Sequence, residues 1–410
     1  MSGDNDNDDG IENVLILQGG GSLGAFGCGV FKALANNNIK IDIVAGTSIG
    51  GVNASIIAGA KEDHPEKALE QYWLELAEGN VDMNLDFPLL EKEEEGDDDD
   101  DKSSSSEHQV QILSTEHTPM THISQIKSSI SFYFSAIYGN KKVFMPRWRP
   151  EYALTDPQYF APLNWTYLFD HSPLINTLEK YVDFNKLKPM GQPNSRLIIT
   201  AVNVLTAEPL IFDSSKQQIT SKHILATTDY PTYYFRWVEV EKGVYAWDGS
   251  LLSNTPLREV IEASPIKDKR IFLVENYPKN IERLPDNIHE VQHRSRDIMF
   301  SDKTLHNIQM SKAFTYYLKF IDELYHMIEE RCDFKKKEDK ANFKRIQAKY
   351  KKIIEQHGAE IKDVYYITRE ERFPSLYENA DFSVETIKAS IKDGELKTKD
   401  TLKDSGLMYQ

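Results

Sequence analysis

Ser48 stands in Ala45-Gly46-Thr47-Ser48-Ile49-Gly50-Gly51, a G-x-S-x-G turn that follows the mainly apolar run Ile41-Asp42-Ile43-Val44. Such a turn holds a serine at the start of a helix as a nucleophile, and the small residues Gly46 and Gly50 let the backbone crowd close around it. A second glycine turn, Gln18-Gly19-Gly20-Gly21-Ser22-Leu23-Gly24, follows the run Val14-Leu15-Ile16-Leu17. Consecutive glycines suit backbone donation, and amides at the positive end of a helix can hold a developing oxyanion. The roles divide accordingly. Ser48 is the candidate for attack, and the Gly19, Gly20 and Gly21 loop is the candidate oxyanion hole. Ser22, which sits in its own formal G-x-S-x-G, is the alternative nucleophile. The first loop also spells G-x-G-x-x-G through Gly19, Gly21 and Gly24, but Asp42 lies near the start of the next strand, where a ribose-binding acid should end it.

A serine nucleophile needs a base, either a histidine held by a carboxylate or a carboxylate alone. Asp248 is placed for the second role in Tyr245-Ala246-Trp247-Asp248-Gly249-Ser250-Leu251-Leu252-Ser253-Asn254-Thr255-Pro256-Leu257, a small-residue turn between an apolar strand and a helix expected to begin at Pro256. Gly249 and Ser250 are the turn residues after the base, and Asn254 or Thr255 is the expected helix cap. The rival triad draws on His289, His293 or His306, in the chain order Ser, Asp, His. His289 and His293 fall in a charged stretch without strand-end character, which reads as surface. As a base, Asp248 has to sit in a low-dielectric pocket that raises its pKa toward neutrality.

The glycine loop, the G-x-S-x-G elbow and the Asp-Gly turn, in that order, resemble the patatin-like phospholipase family of serine acyl hydrolases. The resemblance runs from about Asn13 to Leu257, and S-P-L-I-N-T-L-E-K-Y-V-D-F, A-V-N-V-L-T-A-E-P-L-I-F-D and W-D-G-S-L-L-S-N-T-P-L are similar to one microbial subgroup. It implies an α/β three-layer sandwich around a central, mostly parallel sheet. It also implies a Ser–Asp pair carried by Ser48 and Asp248, an oxyanion hole in Gly19–Gly21, and ester cleavage without metal or organic cofactor. Leu23 stands where many members carry a basic residue, which tilts the expected substrate away from strict phosphate recognition. Ser250 replaces a second glycine of the turn, and Ala226-Thr227-Thr228-Asp229-Tyr230-Pro231 is an altered family segment. The same site would serve a phospholipase or lysophospholipase, a neutral esterase or an intracellular polyester depolymerase. A lipid-surface binding protein on a hydrolase scaffold is the non-enzymatic alternative.

The elements that must position these residues follow from pattern and composition. The chain has 410 residues, 40% hydrophobic and 27% charged, enough for one large α/β domain with additions. The expected organisation is an acidic tail over 1–12, a catalytic domain over 13–300 and a mainly helical extension over 301–410. Net charge is −16, much of it in an acidic, serine-rich insertion at about 90–108, and this balance argues against a nucleic-acid partner. Aromatic residues from Phe132 to Phe169 read as a lid, an acyl channel or a packed cap. Beyond the Asp-Gly turn, Arg270–Val274 reads as a buried strand, Lys303–Glu330 as a long amphipathic helix and Lys335–Gln356 as a basic one. Asp363–Ile367 reads as a further strand and Phe382–Ile391 as a short last helix. No segment reaches the ~20 apolar residues of a membrane span, the N-terminus lacks signal-peptide character, and two cysteines, Cys28 and Cys332, offer no disulfide framework. The expectation is a cytoplasmic protein that meets a lipid or lipid-like ester, with peripheral contact at a membrane or lipid-granule surface.

Overall fold

The computed structural model describes residues 10–78, 139–301, 304–331, 336–371 and 378–407. The acidic insertion, the start of the aromatic segment and Cys332 lie outside them. The chain begins with β1 (Glu12–Leu17), the glycine loop and α1 (Gly24–Asn36), then β2 (Ile43–Gly46), α2 (Ile49–Gly59) and α3 (Pro65–Glu78). A short ladder, β3 (Met145–Pro146) with β4 (Phe169–Asp170), precedes α4 (Pro173–Tyr181). Then come β5 (Arg196–Asn203), β6 (Pro209–Asp213), α5 (Ser221–Thr228), β7 (Val238–Glu241) and β8 (Val244–Asp248). The rest is α6 (Leu257–Ala263), β9 (Lys269–Glu275), α7 (Ile288–Phe300), α8 (Thr304–Arg331), α9 (Lys337–His357), β10 (Ile361–Thr368) and α10 (Val384–Asp404).

The main sheet runs β10-β9-β1-β2-β5-β8-β7, with β6 also on β5. The five strands from β10 to β5 are parallel, and β6, β7 and β8 join antiparallel. Central parallel strands are covered on both faces and read as unbroken apolar runs, as Val14–Leu17 and Ile271–Val274 do. Alternate side chains of β1 feed two cores. Leu15 and Leu17 join Phe26, Val52, Trp73 and Ile387 on one side, while Val14 and Ile16 join Ile43, Leu257, Val260 and Ile308 on the other. Helix, sheet and helix thus form three layers around a mostly parallel sheet, as the resemblance implied.

The segment after residue 300 contributes to this body as well as extending from it. β10 adds an edge strand to β9, and α10 lies on α1, where a Cβ on Gly29 would sit 1.9 Å from the Ile391 carbonyl oxygen and one on Gly394 2.2 Å from that of Phe26. That glycine contact explains why the last helix is 21 residues long and not the short Phe382–Ile391 element expected. A glycine inside a polar run reads as a helix end, whereas Gly394 is the point of closest approach between two helices. Of the described aromatic residues before α4, Phe144 and Phe169 pack with Phe235 from beyond α5, and the buried Arg147 lies under Trp165 and Tyr167.

Candidate functional site

Parallel pairing sets the two glycine turns side by side. Leu17, the last residue of β1, is level with Gly46, the last of β2, so both turns leave the same sheet edge, the carboxyl edge where open α/β sheets place their sites. The elbow is tight. Ser48 has φ 57° and ψ −131°, a conformation that costs a non-glycine residue on the order of 1–3 kcal/mol and is kept where the surroundings enforce it. Those surroundings explain the flanking glycines. A Cβ at Gly46 would lie 2.2 Å from the Gly50 carbonyl, and one at Gly50 would lie 2.2 Å from the Leu17 carbonyl oxygen.

Threonines buttress the elbow. The Ser48 amide donates to Thr227 Oγ1 at 3.1 Å, the Thr227 hydroxyl donates to the Thr200 carbonyl at 2.6 Å, and the Thr47 and Thr200 hydroxyls are 2.8 Å apart. The altered segment Ala226–Pro231 therefore holds the backbone of Ser48.

Asp248 arrives from the antiparallel side. It pairs with Ala201 at the end of β8, one strand beyond β5, and Gly249 fits because a Cβ there would be 2.7 Å from the Thr200 carbonyl oxygen. Asp248 is buried, and that burial pushes its carboxyl up to about 7, against the pull of the Ser250 amide and the Ser48 hydroxyl, which both hydrogen-bond it. The amide donates to Oδ1 at 2.8 Å. Asp229 adds an upward push by repulsion and accepts the Asp248 amide on its backbone oxygen at 3.1 Å. The carboxyl of Asp229 is itself raised by burial, against the pull of His171, whose Nδ1 lies 2.7 Å from its Oδ1.

The glycine loop is held by groups the sequence reading assigned elsewhere. Asn254 and Thr255 do not cap the next helix, which begins at Leu257 with Pro256 before it. Instead Asn254 Oδ1 accepts the Gly19 amide and the Ser250 hydroxyl, both at 3.0 Å, and Thr255 Oγ1 accepts from Gln18 Nε2 at 2.9 Å. Asn276, just after β9, donates its amide to Gln18 Oε1 at 2.9 Å and its side chain to the Gly19 carbonyl at 3.1 Å. The Gly19 N–H is thereby occupied and points into the protein. Of the three expected oxyanion residues, Gly20 and Gly21 remain as donors, and both are partly open to solvent. Three of the missed residues share a signal: Gln18, Thr47 and Asn276 each directly follow an apolar strand at the site edge, while Thr200 lies within β5. Ser22 is set apart, buried, with its hydroxyl donating to the Glu378 carbonyl at 2.7 Å.

The chain matches the patatin-like phospholipase family over residues 15–261. It belongs to that family. Membership makes lipid acyl hydrolysis its broad class of activity, and the matched stretch spans the glycine loop, the elbow and the Asp-Gly turn. The solved structure of VipD from Legionella pneumophila aligns with TM-score 0.38 and 16% identity over 96% of this chain and 67% of that one, a likeness too loose to argue from. No curated protein matches.

The histidines of the rival triad go elsewhere in this patatin-like chain. His289 and His306 are exposed. His293, expected at the surface, is 3% exposed, a correction with a clear cause: three carboxylates and two guanidiniums surround it. Its Nε2 is 2.7 Å from Glu371 Oε1 and 3.6 Å from Glu378 Oε1, and its Nδ1 is 3.2 Å from Asp297. Burial alone would lower its pKa, but Glu371 and Glu378 outweigh that and hold it at about 9. The donors His293, Glu371 and Glu378 stand close enough to hold a cation. Yet Arg296 and Arg369 each lie 2.9 Å from the same Glu378 oxygen. With a proton on His293, three positive and three negative groups balance, so the cluster is neutral as an ion network without a bound cation. It anchors the segment at Glu378 whose backbone crosses the glycine loop; a Cβ on Gly21 would meet the Asn379 carbonyl oxygen at 2.1 Å.

Proposed function

We propose that this patatin-like protein cleaves carboxylic esters of lipids by a Ser48–Asp248 dyad. One observation carries the reading: a serine on a strained elbow hydrogen-bonds a buried carboxyl that titrates at about 7. Above that pH Asp248 is ionised and can take the Ser48 proton as the hydroxyl oxygen attacks the ester carbonyl. The Gly20 and Gly21 amides stabilise the tetrahedral oxyanion, and the proton passes to the leaving alcohol as the C–O bond breaks. Water, deprotonated by Asp248, then attacks the acyl-serine and restores the enzyme. Burial, with a smaller push from Asp229, keeps the base at a useful pKa, and the threonines keep the nucleophile's backbone in place.

The substrate is a lipid-like ester. Leu251, Leu252 and Tyr234 are exposed beside the turn that carries Asp248 and the segment that follows α5, an apolar rim suited to acyl chains. Leu23, buried in the glycine loop, supplies no charge for a phosphate, which tilts the site away from strict phosphate recognition. We place this chemistry in the cytoplasm, at the edge of a membrane or lipid granule. The test is fatty-acid release from lysophosphatidylcholine, diacyl phosphatidylcholine, monoacylglycerol and a short polyhydroxybutyrate oligomer, with Ser48→Ala and Asp248→Asn as controls. Turnover of at least one ester, lost in both variants, supports the reading. Turnover that survives Asp248→Asn, or none on any ester by folded protein, overturns it.

A further inference from the structure

α8 carries two apolar stripes. The inner one faces the body and α9: Ile308, Thr315 and Leu318 are buried, and Asp322 and Tyr325 are half-buried. The outer one, Met310, Phe314, Tyr317, Ile321, Leu324 and Ile328, lies between 37% (Leu324) and 62% (Tyr317) exposed. Its spacing is 4-3-4-3-4, the seam of a packed helix, with Phe314, Ile321 and Ile328 alternating with Met310, Tyr317 and Leu324. Phe320 and Met327, also exposed, widen it to the three-position face of a helical bundle. A helix apolar on both sides is a buried helix, and here one side lies open among the described residues.

The antiparallel partner extends this face. Tyr325 stacks on Phe343 and Tyr350, and Phe314 meets His357 edge-on, which fixes the register of α8 against α9. At 100° per residue, Ile346 and Ile353, both exposed, fall on the side of α9 that continues the outer stripe. Lys340, Lys344 and Lys351 fall on the opposite side of the helix. Arg345, Lys349 and Lys352 border the apolar face on its α9 side, so basic residues line one rim of it and not both, as an anionic membrane would favour. The rims of the face carry opposite charge instead: Lys349 borders it on α9, and Glu323 borders it on the far side of α8. The two are level, because Tyr350 hydrogen-bonds Asp322.

We propose that this face takes a second copy of the chain, joined about a two-fold axis parallel to the hairpin to form a four-helix bundle. That axis sets seam against seam and brings Ile346 and Ile353 of each copy toward Phe320 and Met327 of the other. It also brings the Lys349 rim of one copy to the Glu323 rim of its partner. Self-complementarity of this kind is what a closed, isologous interface demands, with an apolar centre and a polar rim.

The test uses the full chain in sedimentation velocity across micromolar concentrations. Wild type is expected at twice the chain mass. Ile321→Glu with Leu324→Glu is expected at the monomer mass with unchanged circular dichroism and ester turnover, since Lys319 of the same helix pairs with Glu360 at the amino end of β10, the sheet edge opposite Ser48. Glu323→Lys and Lys349→Glu are each expected to weaken the dimer by about tenfold, and the double exchange to restore it. A monomeric wild type, or a charge exchange that restores nothing, overturns the proposal. So does a monomer that binds phosphatidylglycerol vesicles through Ile321 and Leu324, which would give the face to a lipid surface.

Discussion

Asp248→Asn should abolish turnover and, through the same burial, stabilise the fold. An aspartate in the unfolded chain ionises near 3.8, whereas the buried Asp248 ionises only near 7. The fold favours the protonated form, so the stabilising contribution of this group is full below the unfolded value and is lost as pH rises through about 7. At 1.36 kcal/mol per pH unit, the gap of roughly 3 units makes the wild-type native state about 4 kcal/mol less stable at pH 8 than below pH 4, on this group's account. Asparagine has nearly the same shape, cannot ionise, and keeps an oxygen for the Ser250 amide. The variant should gain about 4 kcal/mol at pH 8 and less than half of that at pH 5. Guanidinium unfolding followed by circular dichroism at both pH values, on protein of known activity, measures the difference. A variant less stable than wild type at pH 8, or a gain that does not grow with pH, would refute the argument that burial poises the base.

Three further outcomes follow from the site. The pH profile of kcat/KM should rise through about 7 to a plateau, and Asp229→Asn, by removing a negative neighbour of Asp248, should move that rise to lower pH. Asn254→Ala should leave the Gly19 amide and the Ser250 hydroxyl without their buried acceptor, costing about 1–3 kcal/mol of stability. Its kcat should fall more than its KM rises, while Asn254→Asp, which keeps the acceptor, should recover part of the loss. His293→Ala should lower stability by about 3–5 kcal/mol, because it removes the nearest cation of Glu371 and leaves three buried carboxylates to share Arg296 and Arg369. In wild type the contribution of His293 is full below about 6.5 and is lost as pH rises through about 9, so the penalty read by thermal unfolding should shrink at high pH.

The elbow at Ser48 and the turn at Asp248 were legible because tight backbone packing admits few residue types: Gly46, Gly50 and Gly249 each face a carbonyl within 2.7 Å of a would-be Cβ. The three-layer fold was legible for a related reason, since runs such as Val14–Leu17 suit only a strand covered on both faces. What escaped was set by partners far along the chain. Asn254 and Thr255 look like caps in their own neighbourhood, and only the arrival of Gln18 and Gly19, some 235 residues away, makes them struts of the glycine loop. His293 sits in a charged helix that reads as surface until Glu371, Arg369 and Glu378 close over it. Gly394 reads as a break until Phe26 of α1 packs against it.

The central claim is that Asp248 activates Ser48 without a histidine. It is tested most directly by treating the intact protein with a fluorophosphonate in the presence of detergent and mapping the labelled residue by peptide mass spectrometry, in wild type, Asp248→Asn and His293→Ala. The account predicts label on Ser48 in wild type and in His293→Ala, and its loss in Asp248→Asn. Label on Ser22, or label on Ser48 that persists without Asp248 and disappears without His293, would contradict it.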